Sequence, residues 1–265
     1  MSPATVKASP LSRTQAFLAE ACEGAGYTLV VLFQSFGWMR AIPRKFREIR
    51  DVTHEVIFSS IPVIFIIALF SGFILALQAG RELLQFGAEA EVGVVVGASM
   101  CRAMGPVMAA FAFTGLIGSS FAAQIATMKV SEEVEALEAM SINPIYFLVM
   151  PRVVAVGLAL PIMTIYANII GVFGGALVSQ LQLGVDSTVF FSKAVEEGIR
   201  LRDIYGGLLK SAIFGITIAV VACSQGLRAG HGAEGVGRAT MRSVIISFTL
   251  IVLFEYFLDW ALYPR

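Results

Sequence analysis

The chain has 265 residues, 57% of them hydrophobic and 14% charged, with a mean hydropathy of +0.80 and a formal net charge of +0 at pH 7. Soluble domains carry roughly a quarter charged residues, so this composition excludes an ordinary soluble globule and indicates an all-α polytopic membrane protein. The balanced charge gives no support for nucleic-acid binding, which needs a basic stripe, and Cys22, Cys101 and Cys223 form no CxxC pair and read as small buried hydrophobes.

Residues 1–13 carry no apolar segment followed by a cleavage site and are expected to be a flexible N-terminus. Residues 14–53 form the next unit. Their apolar part is interrupted by Glu20, Glu23, Gly24 and Gly26 and is too short to span, so it is expected to lie in the membrane interface. The basic connector Arg40, Arg44, Lys45, Arg47 and Arg50 follows, placed to meet anionic headgroups.

Residues 54–265 hold five expected transmembrane helices, at about 56–78, 92–127, 146–181, 204–227 and 243–263. Pro62 is expected to kink the first. The second carries Gly93, Gly97, Gly105, Gly115 and Gly118 among many alanines, a composition that lets neighbouring backbones approach closely and places this helix centrally. The third contains Pro151, Pro161 and the Gly171-x-x-x-Gly175 spacing, so it is expected to bend. A polar stretch with Asp186, Glu196, Glu197, Arg200, Arg202 and Asp203 precedes the fourth, and a Gly-rich loop, 226–237, precedes the fifth.

Lysines and arginines set the expected orientation. With the N-terminus cytoplasmic, that side collects Lys7, Arg13, the cluster from Arg40 to Arg50, Lys129, Arg152, Arg228, Arg238 and Arg242, against Arg81, Lys193, Arg200, Arg202 and Arg265 outside. This puts the C-terminus outside and the acidic segment 131–141 in the cytoplasm. In that segment Ser131 reads as an N-cap, Glu132 and Glu133 suit the first turn, and Val130, Val134, Leu137 and Met140 recur on one helical face, with Glu135 and Glu138 on the other. Asn143-Pro144 is expected to stop the helix. Glutamates beside an anionic leaflet are repelled, so a helix that docks a soluble protein is favoured over a lipid-lying connector.

The run Gly105-Pro106-Val107, Ala122-Ala123-Gln124, Thr127-Met128-Lys129-Val130-Ser131-Glu132-Glu133-Val134-Glu135-Ala136-Leu137-Glu138-Ala139-Met140, Asn143-Pro144 and Pro151-Arg152 resembles the MlaE/YrbE family of permeases. These are membrane subunits of ATP-driven ABC lipid transporters associated with MCE-domain proteins. The resemblance extends more loosely to 75–78 and 235–244 and covers most of the chain after Val56.

It implies an interfacial helix plus five transmembrane helices in a bacterial inner membrane and a homodimer. It also implies a cytoplasmic coupling helix at 131–141 that docks a separate ATPase carrying ATP and Mg, with no cofactor in this chain. A periplasmic MCE-domain partner is implied, and a small STAS-domain regulatory subunit fits the same picture. The ATPase-coupling residues carried over are Ser131, Glu132, Val134, Glu135, Leu137, Glu138 and Met140. The chain departs from the family pattern at Leu116 (usually Arg), Gln124-Ile125-Ala126 (usually Glu-Leu-Gly), Ala103 (usually Glu) and Glu255 (usually Asp).

No catalytic constellation is visible. Lys210-Ser211 lacks the glycine of a phosphate-binding loop and sits in an apolar span, and His54 and His231 are isolated. Charges inside the bilayer cost several kcal/mol unless paired, which singles out Arg102, Glu255 and Asp259, with an Arg102–Glu255 pair as the sharpest expectation. For the lipid pathway the candidates are Leu75, Leu77 and Gln78, beside Gly72 and Phe73, with Met100, Arg102, Met104 and Glu255, and Met108 further along. The alternative to a permease is an ion-coupled secondary transporter of a hydrophobic substrate, which requires broken helices and an internal repeat.

Overall fold

The computed structural model describes residues 10–263, with side chains described from residue 23 onward except at 39–41 and 44. Residues 1–9 of the expected flexible N-terminus, with Lys7, therefore lie outside the described residues, as does Arg265, and the side chains of Arg13, Cys22, Arg40 and Arg44 lie outside them too.

The described residues form helices and no strand. Helix α1 (Pro10–Gly37) is followed by a 3-10 segment, Trp38–Lys45, and then by five long apolar helices. These are α2 (Phe46–Leu84), α3 (Glu89–Val130), α5 (Ile145–Gln182), α7 (Leu201–Leu227) and α8 (Gly232–Leu262). Two short helices connect them, α4 (Glu133–Ala139) after α3 and α6 (Ser187–Lys193) after α5. Each long helix is long enough for the ~30 Å hydrocarbon core, so the chain is an all-α polytopic membrane protein, as its composition requires.

Helix α2 buries one narrow stripe, Val56, Ser60, Ile64, Ala68, Gly72, Ala76 and Gly80, spaced every four residues. Its other faces show Phe58, Phe65, Ile66, Phe70 and Ile74, the pattern of a helix with lipid on most sides. The stripe is small because α5 lies hard against it. A Cβ on Gly72 would meet the carbonyl of Gly171, and one on Gly174 would meet the carbonyl of Leu69. Small residues thus replace side-chain interdigitation by backbone contact, the main source of helix attraction where lipid removes the hydrophobic drive.

Helix α3 is interrupted by two π turns, Met100–Met104 and Thr114–Gly118, in an otherwise continuous course. Helix α7 is the most enclosed of the five and α8 the least. Phe113, Leu160, Phe214 and Ile218 sit in the main core, and a second core gathers Ala76, Val96, Met100 and Phe190.

Two connectors are more ordered than their composition suggests. Residues 183–200 fold back over the first turns of α3: Asp186 caps α6 by accepting from the Thr188 amide at 2.8 Å, Gly93 abuts the Phe190 carbonyl, and Gly198 abuts Val94. Lys193 ties this lid to α3 through Glu91 at 3.0 Å. In the basic connector, Lys45 does not face headgroups. It is 8% exposed, pairs with Glu48 at 2.7 Å and sits 3.9 Å above the Phe147 ring, because the connector is clamped onto the start of α5.

Candidate functional sites at the two ends of the helix bundle

The acidic segment is a braced knob between α3 and α5. Helix α3 runs on to Val130, so Ser131 closes α3 instead of capping α4. Its hydroxyl donates to the Thr127 carbonyl at 3.0 Å and bonds Glu133 at 2.9 Å. Glu132 takes the left-handed conformation, with φ of 62°, and α4 starts one residue later. The far end is a Schellman closure: Ser141 sits at φ 60°, its amide donates to Glu138 at 2.9 Å, and the Ile142 amide donates to Leu137 at 2.9 Å.

Asn143-Pro144 therefore starts the next helix and does not stop this one. The Asn143 carboxamide oxygen accepts from the Ile145 amide at 2.9 Å, and proline suits the first helical position. Arg152 completes the brace, donating to the Leu148 carbonyl at 2.9 Å and to the Gln124 carboxamide at 3.2 Å. Gln124, a departure from the family pattern, thus still reaches an arginine, through a neutral hydrogen bond.

The knob's faces differ from the expected division. Val134 is 3% exposed and joins the main core, with Leu137 packed against it, so these two residues hold α4 to the body and are not on its surface. Glu132, Glu133, Glu135 and Glu138 are exposed, and Met140 is 62% exposed among them. Glu135 pairs with Lys129, whose hydrogen bond holds the Glu135 carboxyl below the usual glutamate range. A depressed carboxyl stabilises the fold above its unfolded pKa, and that contribution is lost as pH falls through the lowered value.

At the opposite end lies a cluster of charges inside the helix bundle. Lys210 of α7, with no exposed side-chain surface, donates to Glu255 at 2.8 Å and Asp259 at 2.6 Å, both on α8. Its third bond, at 3.1 Å, goes to the carbonyl of Arg102, inside the π turn of α3, where the widened helix leaves carbonyls open to other donors. Arg102 itself sits 3.7 Å from Asp203 and 3.7 Å above the Tyr263 ring.

The expected Arg102–Glu255 ion pair is therefore corrected. Both residues belong to the cluster, but Lys210 stands between them and takes the carboxylate. In the sequence Lys210 meets only the phosphate-loop pattern, which it does not fit. A lysine nine residues inside an apolar helix was itself the signal, since such a charge needs partners. Two buried polar atoms of the cluster, Glu255 Oε2 and the Tyr263 hydroxyl, have no hydrogen-bond partner among the described residues.

The remaining pathway candidates separate. Gly72 is spent on the contact with α5, and Met100, fully buried, lies against Gly171. Leu75, Leu77 and Phe73 pack onto the second core. Gln78 and Met104 are exposed, Met108 is half-buried, and only Arg102 and Glu255 of the set meet at the cluster. No group of three or more His, Cys, Asp or Glu side chains suited to a metal ion occurs among the described residues.

Comparison with known proteins bears on both sites. The family model described as Permease MlaE matches residues 50–261. A "Probable ABC transporter permease protein" of Rickettsia typhi is 40% identical over 206 residues, 78% of this chain and 79% of its own length. One of the same description from Synechocystis is 37% identical over 204 residues, 77% of each chain. The "Intermembrane phospholipid transport system permease protein MlaE" of Haemophilus influenzae is 32% identical over 205 residues, 77% of this chain and 78% of its own. With the family model spanning most of its length, this chain belongs to the MlaE permease family.

Proposed function

We propose that the chain is the non-catalytic permease subunit of an ATP-driven ABC transporter that moves phospholipid or a related lipid between the bacterial inner membrane and a periplasmic MCE-domain partner. ATP and Mg would be held by a separate cytoplasmic ATPase docked on α4, and a small STAS-domain subunit would act through that ATPase. The observation that carries this reading is the construction of α4. An acidic, Met140-tipped knob is anchored by Val134, tied to α3 through Glu135 and Lys129, and joined by a short turn to α5, whose Arg152 bonds Gln124 of α3, so a push on it bears on two linked membrane helices. The name of the Haemophilus relative supports lipid as cargo.

In this reading Ser131, Val134 and Leu137 set the position of the knob, while Glu132, Glu135, Glu138 and Met140 touch the ATPase. The cluster around Lys210, with Arg102 and Glu255, gives a headgroup polar contacts inside an otherwise apolar path, with Met104 exposed on α3 and Gln78 exposed on α2. The end bearing α4 also bears Arg152, Arg228, Arg238 and Arg242, which supports a cytoplasmic placement by the positive-inside rule. The exposed apolar face of α8, Met241, Ile245, Val252, Phe257 and Trp260, suits a second copy of the chain. An ion-coupled secondary transporter is less supported, because such transporters use broken helices at their site and α3 runs on through its π turns.

The test is affinity purification of the tagged chain from native membranes. An ATP-hydrolysing subunit is expected to accompany the wild type and to be lost from a Glu132→Lys/Glu135→Lys/Glu138→Lys variant that still elutes as a folded complex. Retention of the ATPase by that variant, or its absence from the wild type, would sink the proposal.

A further inference from the structure

The hairpin between α7 and α8 lines a solvent-open cavity of about 330 Å³, at the end of the bundle that carries α4 and opposite the Lys210 cluster. Its walls are three arginines, Arg228, Arg238 and Arg242, the buried amide Gln225, and the glycine-containing turn that leads into α8. Gln225 is 7% exposed, lines the cavity, and its carboxamide makes no hydrogen bond among the described residues. That carboxamide faces the open side of the cavity and is available to a ligand there.

The charges around it have the same sense. Arg238 and Arg228 are held by long ion pairs, 3.7 Å to Glu234 and 3.9 Å to Glu23, and both glutamates are about four-fifths exposed, at 81% and 79%. Helix α8 begins at this cavity with no side chain capping its first amides: His231 stands at the cap position and makes no such bond. A helix start without a cap presents N–H donors and the positive end of the helix dipole. Guanidinium forks, amides without a side-chain cap and a neutral amide donor together match a tetrahedral oxyanion, and arginine is suited to binding it through two parallel bonds.

From these observations we infer that the α7–α8 hairpin is a phosphate-binding pocket, whose ligand is the phosphodiester headgroup of a lipid or a free phosphate of the same chemistry. The site is separate from the charge cluster inside the membrane and does not depend on the direction or cargo of transport. The cavity is too small and too polar in its lining for acyl chains, so a bound lipid would hold its headgroup there and leave its tails to the bilayer.

Isothermal titration of the detergent-purified full chain, with whatever subunits accompany it, tests this with two probes, dihexanoyl phosphatidylglycerol and inorganic phosphate. Saturable binding of the lipid alone identifies a headgroup site, and equal, competing binding of phosphate identifies a free-anion site; both support the pocket. Arg228→Gln/Arg238→Gln is expected to weaken binding about tenfold or more, the scale of lost charge-assisted bonds. Gln225→Leu, close in volume and judged folded by an unchanged elution profile, is expected to weaken it too. No binding of either probe, or equal binding in these variants, overturns the inference. So does loss of a co-purifying protein from the arginine variant while its phosphate binding is unchanged, which would make the surface a protein-docking face.

Discussion

Lys210 is a charged side chain with little room for error. It holds two carboxylates of α8 and a carbonyl of α3 with no surface of its own exposed, so it joins three membrane helices through one ammonium group. Removing one member of a buried ion pair typically costs about 3–5 kcal/mol, and here the cost falls chiefly on Glu255, 18% exposed, because Asp259 is 42% exposed. Lys210→Met is therefore expected to lower the thermal unfolding midpoint of the detergent-solubilised chain sharply. Lys210→Met/Glu255→Gln/Asp259→Asn, which removes all three charges together, is expected to recover most of the loss. A single variant as stable as the wild type would show that the cluster does not hold the helices together. The sequence offered Arg102, Glu255 and Asp259 as charges in need of partners, yet the pairing was beyond it. Pairing is decided by where α7 meets α8, and nothing local to any of these residues records that.

At the scale of elements, helix existence was legible and helix boundaries were not. Apolar length and small-residue content suffice to place five spans. The position of α4 depended on two residues in left-handed conformation, Glu132 and Ser141, which have no glycine to advertise them. The amphipathic pattern of 130–140 was real, but which face was covered depended on α4 folding back against the core. Asn143-Pro144 was read as a stop because proline ends helices; it equally begins them, and the Asn143 side chain decides between the two. Packing of α2 on α5 makes a sharper prediction. Gly72→Leu would drive a side chain into the Gly171 carbonyl, where overpacking costs about 1–3 kcal/mol. It is expected to lower stability and the yield of folded protein, whereas Ile74→Leu on the exposed face is expected to be neutral; equal behaviour of the two in a thermal unfolding assay would contradict this packing.

The whole molecule has two unlike ends and one uncovered helix. One end gathers Lys129, Arg152, Arg228, Arg238 and Arg242 around α4, and the other holds the lid of residues 183–200 and the Lys210 cluster. If the first end is cytoplasmic, a Met140→Cys variant in intact cells is expected to resist a membrane-impermeant maleimide and to react once the membrane is opened. The native chain, with Cys101 and Cys223 buried, is the control for background from Cys22. Labelling in intact cells would invert the orientation. Along the uncovered helix, Val252→Cys is expected to form a disulfide-linked dimer in the membrane under mild oxidant, and its remaining a monomer would leave α8 facing lipid.

The proposed function makes α4 the point where the energy of a separate nucleotide cycle enters the membrane helices. The direct measurement is ATP-dependent transfer of a fluorescent phospholipid by the complex reconstituted in proteoliposomes, wild type against Glu132→Lys/Glu135→Lys/Glu138→Lys. The account predicts that the variant reconstitutes normally and loses ATP-dependent transfer. Transfer that proceeds at the wild-type rate and still requires ATP would contradict it.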